Sequence, residues 1–202
     1  MLVEQVKEYI ELCKVFGGCY DLVQTNGGNI SVKHNNHIII KKSGFKMIET
    51  EMNKGYVICD INKIKFDSEN INDTIIFGEG TPSIETFFHL IPKKYVVHLH
   101  PIKLLHLLCL SNWKEIINNL FENSLCIHYI KPGLELAKTI LKEYNENVAI
   151  FCAMSSRKSH IAKFTSHYDK LVRLTEYYNY ITSNVKVLLE QTNIKHIKKS
   201  II

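Results

Sequence analysis

Long apolar runs, linkers and leader sequences are all lacking in this chain of 202 residues. No stretch approaches twenty consecutive apolar residues, so no membrane-spanning helix is predicted. The first residues do not form a charged and then apolar leader, so we expect no secretory signal and, by default, a cytoplasmic location. Since 46% of the residues are hydrophobic and no linker divides them, we predict a single domain over residues 1–202.

Paired cysteines and nucleic-acid-binding motifs are also lacking. The six cysteines are scattered without a Cys-x-x-Cys pair, which predicts reduced, buried cysteines that act as small hydrophobic residues. The formal net charge is +5, and the surplus is concentrated between Lys195 and Lys199. A basic end of this kind is typical of a solvated terminus, so we expect no nucleic-acid partner.

One carboxylate and two imidazoles are present at a spacing that suits a divalent metal. His98 and His100 are two apart in an apolar run, and a β-strand sends residues i and i+2 to the same face, so both rings are predicted to point into one pocket. Glu85 follows Pro82 and Ser83, a pair typical of a helix start with Ser83 as the N-cap. Two histidines and a glutamate can form an open zinc site. Core histidines that satisfy each other or the backbone are the alternative.

A polar, glycine-containing cluster lies upstream of these residues. Gly27, Gly28 and Asn29 precede one strand-like run, and Ser43 and Gly44 follow the next. Glycine permits a positive φ and close approach to a ligand, while the polar side chains offer donors to an anion. The cluster therefore predicts a phosphate cradle, with an ordinary turn as the alternative.

The order of the motifs resembles that of the class II aldolase/adducin-head family. The resemblance extends from about residue 12 to about residue 150 and is closest to the aldolase half of bacterial proteins that fuse this domain to a short-chain dehydrogenase. The motifs are Gly-Gly-Asn-x-Ser-Val-Lys from Gly27, Ile-Lys-x-Ser-Gly from Ile40, Pro-Ser-x-Glu from Pro82, Val-Val-His-x-His-Pro from Val96, and Tyr-x-x-Pro-Gly-x-x-Leu-Ala from Tyr129.

The resemblance implies a metal-dependent lyase that acts on a small sugar phosphate through an enediolate intermediate. It also implies a homotetramer, and a three-layer α/β sandwich in which helices cover both faces of a central, largely antiparallel sheet. By this resemblance His98 and His100 bind a divalent metal, most often zinc, and Glu85 is a metal ligand or the catalytic base. The residues implied to hold the substrate phosphate are Gly28, Asn29, Ser43, Gly44 and Ser83.

The sequence departs from the family pattern at three places. Met154 stands where the family supplies a third zinc histidine, and a thioether is a poor zinc ligand. No counterpart of the catalytic tyrosine is found between residues 102 and 126, and Ile84 replaces a second serine. Two alternatives therefore stay open: a binding or scaffolding module that has lost the chemistry, and an epimerase or decarboxylase that uses the same site.

Apolar periodicity and turn residues predict alternating helices and strands, which favours the same α/β sandwich. His89 lies four residues after Glu85, on the same helix face. We interpret it as a buried histidine that orients this segment, with approach to the metal as the alternative. Helices are predicted over residues 2–16, 86–91, 102–110, 114–122, 134–144 and about 167–189, and strands over 30–33, 38–41, 56–60, 96–100 and 148–152.

Overall fold

The computed structural model describes residues 2–66, 70–108, 110, 112–121, 124–145 and 149–152. Met154, the predicted helix over 167–189 and the basic tail lie outside the described residues. The chain divides into two compact units, the first formed by Met1–Pro101 and Lys131–Lys142 and the second by Ile102–Ile130 and the residues from Glu143 onward. A single domain over 1–202 stays a prediction, and each unit is described by itself.

Four α-helices, seven strands and four short 3₁₀ helices make up the described residues. The α-helices are α1 (Val3–Gly17), α2 (Ile102–Leu108), α3 (Trp113–Leu120) and α4 (Leu134–Glu143). The strands are β1 (Asn29–His34), β2 (His37–Lys41), β3 (Tyr56–Asp60), β4 (Ile75–Phe77), β5 (Tyr95–His98), β6 (Ser124–Ile127) and β7 (Ala149–Cys152). The 3₁₀ helices are Met47–Glu49, Ile61–Lys63, Ile71–Thr74 and Ile84–Leu90.

The first unit contains a five-stranded sheet with the strand order β4-β3-β2-β1-β5. Every neighbouring pair is antiparallel, which confirms the predicted central antiparallel sheet. β1 lies between β2 and β5, and its first residue, Asn29, is directly opposite His98 on β5. The register therefore places a residue of the glycine-containing cluster beside a predicted metal ligand.

Residues paired across an antiparallel sheet point to the same face, and successive residues alternate between faces. One face packs on α1, where the ring of Tyr9 lies 5.6 Å from that of Tyr56. The opposite face carries Asn29 and His98. Its apolar part is a buried cluster of Ile38, Ile40, Val57 and Cys59. Burial of each large aliphatic side chain contributes about 1.5–3 kcal/mol, so this register is strongly favoured.

The second unit has its own apolar cluster and a two-stranded parallel sheet. β6 pairs with β7 in parallel, with Ser124 opposite Ala149 and Ile127 opposite Cys152. The buried residues of the cluster are Leu107, Leu108, Leu110, Trp113 and Ile117. None of the helices in the described ranges is both long and apolar enough to cross a bilayer.

Two predicted elements differ from the structure, and two observed strands were not predicted. The helix predicted over 86–91 is a 3₁₀ helix at Ile84–Leu90, and the strand predicted over 96–100 runs from Tyr95 to His98. β4 and β6 were not predicted, and the three residues of β4 are too few to show a period of two. The other predicted elements within the described residues agree to within two residues at each end.

Candidate metal centre

Glu85, His98 and His100 converge on the sheet face that lies opposite α1. One ligand atom from each lies within 4.8 Å of the other two. The Nε2 atoms of His98 and His100 are 3.2 Å apart, and Nδ1 of His98 is 3.1 Å from Oε2 of Glu85. The side chains of His98 and Glu85 are 27% and 17% exposed, so a small ligand can reach a site that is otherwise enclosed.

The two imidazoles fit a divalent cation. Ligand nitrogens at 2.0–2.1 Å from a tetrahedral zinc lie about 3.3 Å apart, close to the 3.2 Å between these Nε2 atoms. The carboxylate of Glu85 accepts a hydrogen bond from Nδ1 of His98, which leaves Nε2 of that ring with its lone pair. A carboxylate behind a ligand histidine fixes the orientation of the ring and increases its basicity.

The electrostatics keep the site in the protonation state that a cation needs. Burial acts to raise the pKa of Glu85, but the hydrogen bond from His98, the charges of His98 and His100, and the amide of Asn29 together hold it below its ordinary value. Burial also lowers the pKa of His100, and the charge of His98 adds to this effect, while Glu85 opposes it. At neutral pH the carboxylate of Glu85 is therefore ionised and the imidazole of His100 is neutral.

His100 lies beyond the end of β5, so the strand alone does not set its position. Its backbone N–H donates to the carbonyl of Leu22 at 2.8 Å. A Cβ atom at Gly27 would lie 2.8 Å from Nδ1 of His100, so the ring occupies space that only glycine leaves open at this position. The sequence shows the glycine but not the ring that packs against it.

Phe88 and His89 pack beside the metal ligands. The ring of Phe88 meets that of His98 edge-on at 5.2 Å and stacks on His89 at 5.1 Å. His89 is fully buried, and its Nδ1 lies 2.9 Å from the hydroxyl of Ser31. His89 is therefore buried, as predicted, and it is not one of the three possible ligands. That it orients its segment stays a prediction.

Of the residues predicted to hold phosphate, Ser43 and Ser83 are brought together by two backbone hydrogen bonds. The N–H of Ser43 donates to the carbonyl of Thr81 at 2.8 Å, and the N–H of Ser83 donates to the carbonyl of Lys41 at 3.0 Å. These two amides are occupied, so an anion would have to use the hydroxyls. Ser83 also caps the 3₁₀ helix at Ile84–Leu90, where its Oγ accepts from the N–H of Glu85.

The other predicted phosphate residues have different surroundings. Gly28 and Gly44 adopt φ values of +66° and +73°, a region that favours glycine. Gly44 is exposed, whereas Asn29 is only 2% exposed and donates its side-chain amide to Oε2 of Glu85. The predicted phosphate residues thus do not share one environment. Gly44 lies in an exposed loop, whereas the amide of Asn29 is buried beside the carboxylate of Glu85.

Residues 7–156 match the family described as Class II Aldolase and Adducin N-terminal domain. The chain belongs to this family. The match includes all three residues of the candidate metal centre and every predicted phosphate residue. The match ends two residues beyond Met154, the position at which the resemblance implies a third zinc histidine.

Solved structures share the fold at low sequence identity. The N-terminal class II aldolase domain of a Thermoplasma acidophilum protein matches 87% of this chain and 92% of its own at 20% identity, with a TM-score of 0.66. The sugar-phosphate aldolase of Thermotoga maritima matches 95% of this chain and 98% of its own at 19% identity, with a TM-score of 0.59. An L-fuculose 1-phosphate aldolase covers 98% of this chain and 94% of its own at 20% identity, with a TM-score of 0.58.

A curated relative is the uncharacterized oxidoreductase YuxG of Bacillus subtilis (strain 168). It is 35% identical over 68 residues, which are 33% of this chain. The chain spans only 10% of the length of that relative. This similarity is consistent with the predicted resemblance to the aldolase half of a larger fusion protein.

Proposed function

We propose that this protein is a divalent-metal-dependent lyase that cleaves or forms the carbon–carbon bond next to the carbonyl of a small phosphorylated ketose through an enediolate intermediate. The observation that carries the proposal is the convergence of Glu85, His98 and His100, whose ligand atoms lie within 4.8 Å of one another. A metal ion, most often zinc, supplies Lewis acidity toward the hydroxyketone oxygens of the substrate when it is bound.

The residues of the chain have separate tasks in this proposal. Nε2 of His98 and Nε2 of His100 hold the cation, and the substrate enters beside them. Oε2 of Glu85 is engaged by His98 and Asn29, so Oε1 is the oxygen that moves the proton to and from the substrate carbon. A carboxylate with a lowered pKa is ionised at neutral pH and ready to accept that proton.

Ser43 and Ser83 hold the substrate phosphate through their hydroxyls, with Gly28 and Gly44 shaping the loops around it. Asn29 was implied to be a further phosphate ligand, and its second amide hydrogen still permits this role. Two of the structural neighbours are by name a sugar-phosphate aldolase and an L-fuculose 1-phosphate aldolase, which supports a phosphorylated sugar as the substrate class.

Metal analysis together with an aldol-cleavage assay tests the proposal. The chain, purified with added zinc, manganese or iron, is expected to retain close to one equivalent of metal and to release an aldehyde from a panel of ketose phosphates. Removal of the metal with a chelator should abolish the release, and its return should restore it. Retention below about a tenth of an equivalent, with no aldehyde released, would instead favour the binding or scaffolding module.

The same site can perform related enediolate chemistry. Inversion of a sugar hydroxyl without loss of carbon would identify an epimerase, and release of carbon dioxide would identify a decarboxylase. Product analysis by NMR on the same panel distinguishes these outcomes from aldol cleavage. All three require Glu85 and the two histidines, so they share one metal centre.

We further propose that the protein is a cytoplasmic homotetramer. The resemblance to the family supports the tetramer, and the scattered cysteines, which are predicted to be reduced, support the location. Light scattering after size exclusion measures the assembly directly, with four copies as the expected result. A stable monomer that still cleaves sugar phosphates would contradict the tetramer without affecting the proposed chemistry.

A further inference from the structure

We propose that Asn29 is a positioning residue for Glu85, and that β1 holds the whole segment carrying Glu85 through three polar side chains on one face. The inference rests on the proposed metal centre but assigns Asn29 a task other than phosphate binding. The motif that begins at Gly27 and the motif that begins at Pro82 then form one unit, in which the first places the carboxylate of the second.

The register of the sheet supplies the geometry. Asn29, Ser31 and Lys33 alternate with apolar residues along β1, so all three point to the face that carries His98. The 3₁₀ helix at Ile84–Leu90 lies over the same face, because Ser31 contacts His89 there. Three polar residues in a central strand would be costly to bury unless each found a partner.

Each of the three side chains bonds to a different group of the segment. Asn29 donates to Oε2 of Glu85 near its start. The hydroxyl of Ser31 lies 2.9 Å from Nδ1 of His89. The ammonium group of Lys33 donates to the carbonyl of His89 and, at 2.6 Å, to that of Ile91. The segment is therefore attached near its start and at its end.

The bond from Asn29 determines which atoms of the site remain available. An ionised carboxylate only accepts hydrogen bonds, so the amide NH₂ of Asn29 and the Nδ1–H of His98 both donate to Oε2. This arrangement keeps His98 in the tautomer whose Nε2 can bind a cation. It also leaves Oε1 of Glu85 without a protein partner in the described part of the chain, and thus free for proton transfer.

The tautomer of His98 in the metal-free, full-length protein tests the proposal without any activity measurement. Imidazole ¹⁵N–¹H correlation spectra of the parent should show His98 protonated at Nδ1. The Asn29→Ala variant should show a mixture of tautomers, because the carboxylate is no longer fixed. The isosteric Asn29→Asp variant, whose carboxylate repels Glu85, should show the same change, and it keeps the test usable if the alanine variant does not fold.

Zinc affinity, measured by competition with a chromophoric chelator, is the second readout. Loss of an outer partner of a metal ligand typically weakens binding by about 10–100-fold. Glu85 is such a partner of His98 and Asn29 positions it, so both Asn29 variants should lose zinc affinity toward the lower end of this range, by about tenfold. The matched control is Ser43→Ala, which removes a proposed phosphate donor on an exposed loop. It should leave zinc affinity unchanged and weaken the binding of inorganic phosphate.

The opposite pattern would overturn the proposal. If both Asn29 variants keep the parental His98 tautomer and zinc affinity and lose only inorganic phosphate binding, Asn29 is a phosphate ligand. A failure to cleave any ketose phosphate would contradict the proposed function. The tautomer of His98 and the zinc affinity would still decide whether Asn29 positions Glu85. The two failures are therefore distinguishable.

Discussion

Nε2 of His98 and Nε2 of His100 lie 3.2 Å apart, although β5 ends at His98. The two rings meet nearly at right angles, with an interplanar angle of 73°. A regular strand is therefore not what brings them together. The bond of His100 to the carbonyl of Leu22 and the space above Gly27 complete the geometry.

Removal of either imidazole is expected to abolish tight metal binding. His98→Ala and His100→Ala each leave one imidazole in the pair, which should reduce zinc affinity by at least about 100-fold. His34→Ala is the matched control, because His34 is an exposed histidine in the β1–β2 hairpin. Equal zinc content in all three variants, measured by atomic emission, would show that the metal binds elsewhere.

Gly27→Ala should move the ring of His100. The added methyl group would lie 2.8 Å from Nδ1, so we expect zinc affinity to fall by about tenfold or more. Gly44→Ala is a useful comparison. An added Cβ at this position would have no atom within 4 Å, so only the φ of +73° disfavours alanine there.

The comparison variant, Gly44→Ala, should lose stability rather than zinc affinity. Gly44→Ala should lower the free energy of unfolding by about 1 kcal/mol and leave zinc affinity unchanged. Chelator competition and chemical denaturation measure the two quantities. Unchanged zinc affinity in Gly27→Ala would mean that the ring of His100 relaxes without cost to the site.

The two serines of the proposed phosphate site should differ in their effect on stability. Ser43→Ala and Ser83→Ala should both raise KM for the cleaved ketose phosphate by about tenfold, since each removes one hydrogen bond to a charged group. Ser83→Ala should also lower the free energy of unfolding by about 1 kcal/mol, because Ser83 caps the segment that carries Glu85. If steady-state kinetics show no change in KM for either variant, the substrate phosphate binds elsewhere on the protein.

The pH dependence of stability should contain a contribution from Lys33. Burial lowers the pKa of Lys33 from 10.5 to about 8. Between these pH values the unfolded chain binds more protons than the folded chain, so the contribution of Lys33 to the free energy of unfolding rises with pH. The rise is about 3 kcal/mol at most.

Lys33→Met isolates this contribution. The variant also leaves the carbonyl groups of His89 and Ile91 without their donor, which lowers stability by a constant amount at every pH. The slope alone is therefore diagnostic. Parallel curves of unfolding free energy for parent and variant, measured by urea denaturation from pH 7 to pH 10.5, would show that Lys33 keeps its proton throughout.

Much of this site follows from local sequence patterns, and the rest depends on contacts between distant residues. The run that carries His98 and the N-cap at Ser83 are local features, so both were predicted. The bond between Asn29 and Glu85 joins residues 56 positions apart, and no local pattern determines it. No local pattern assigns Ser31 or Lys33 to the segment that carries Glu85, and only the contacts with that segment explain their burial.

The spacing of the site along the chain also affects how it forms during folding. Asn29 and Glu85 are 56 positions apart, so the hairpin of β1 and β2 can close before the carboxylate joins it. Closure of such a long loop has an entropic cost that local contacts do not offset. A nascent chain that lacks β5 also lacks His98 and His100 and would not bind zinc at this site. Metal binding would therefore come late in folding and would stabilise the completed sheet.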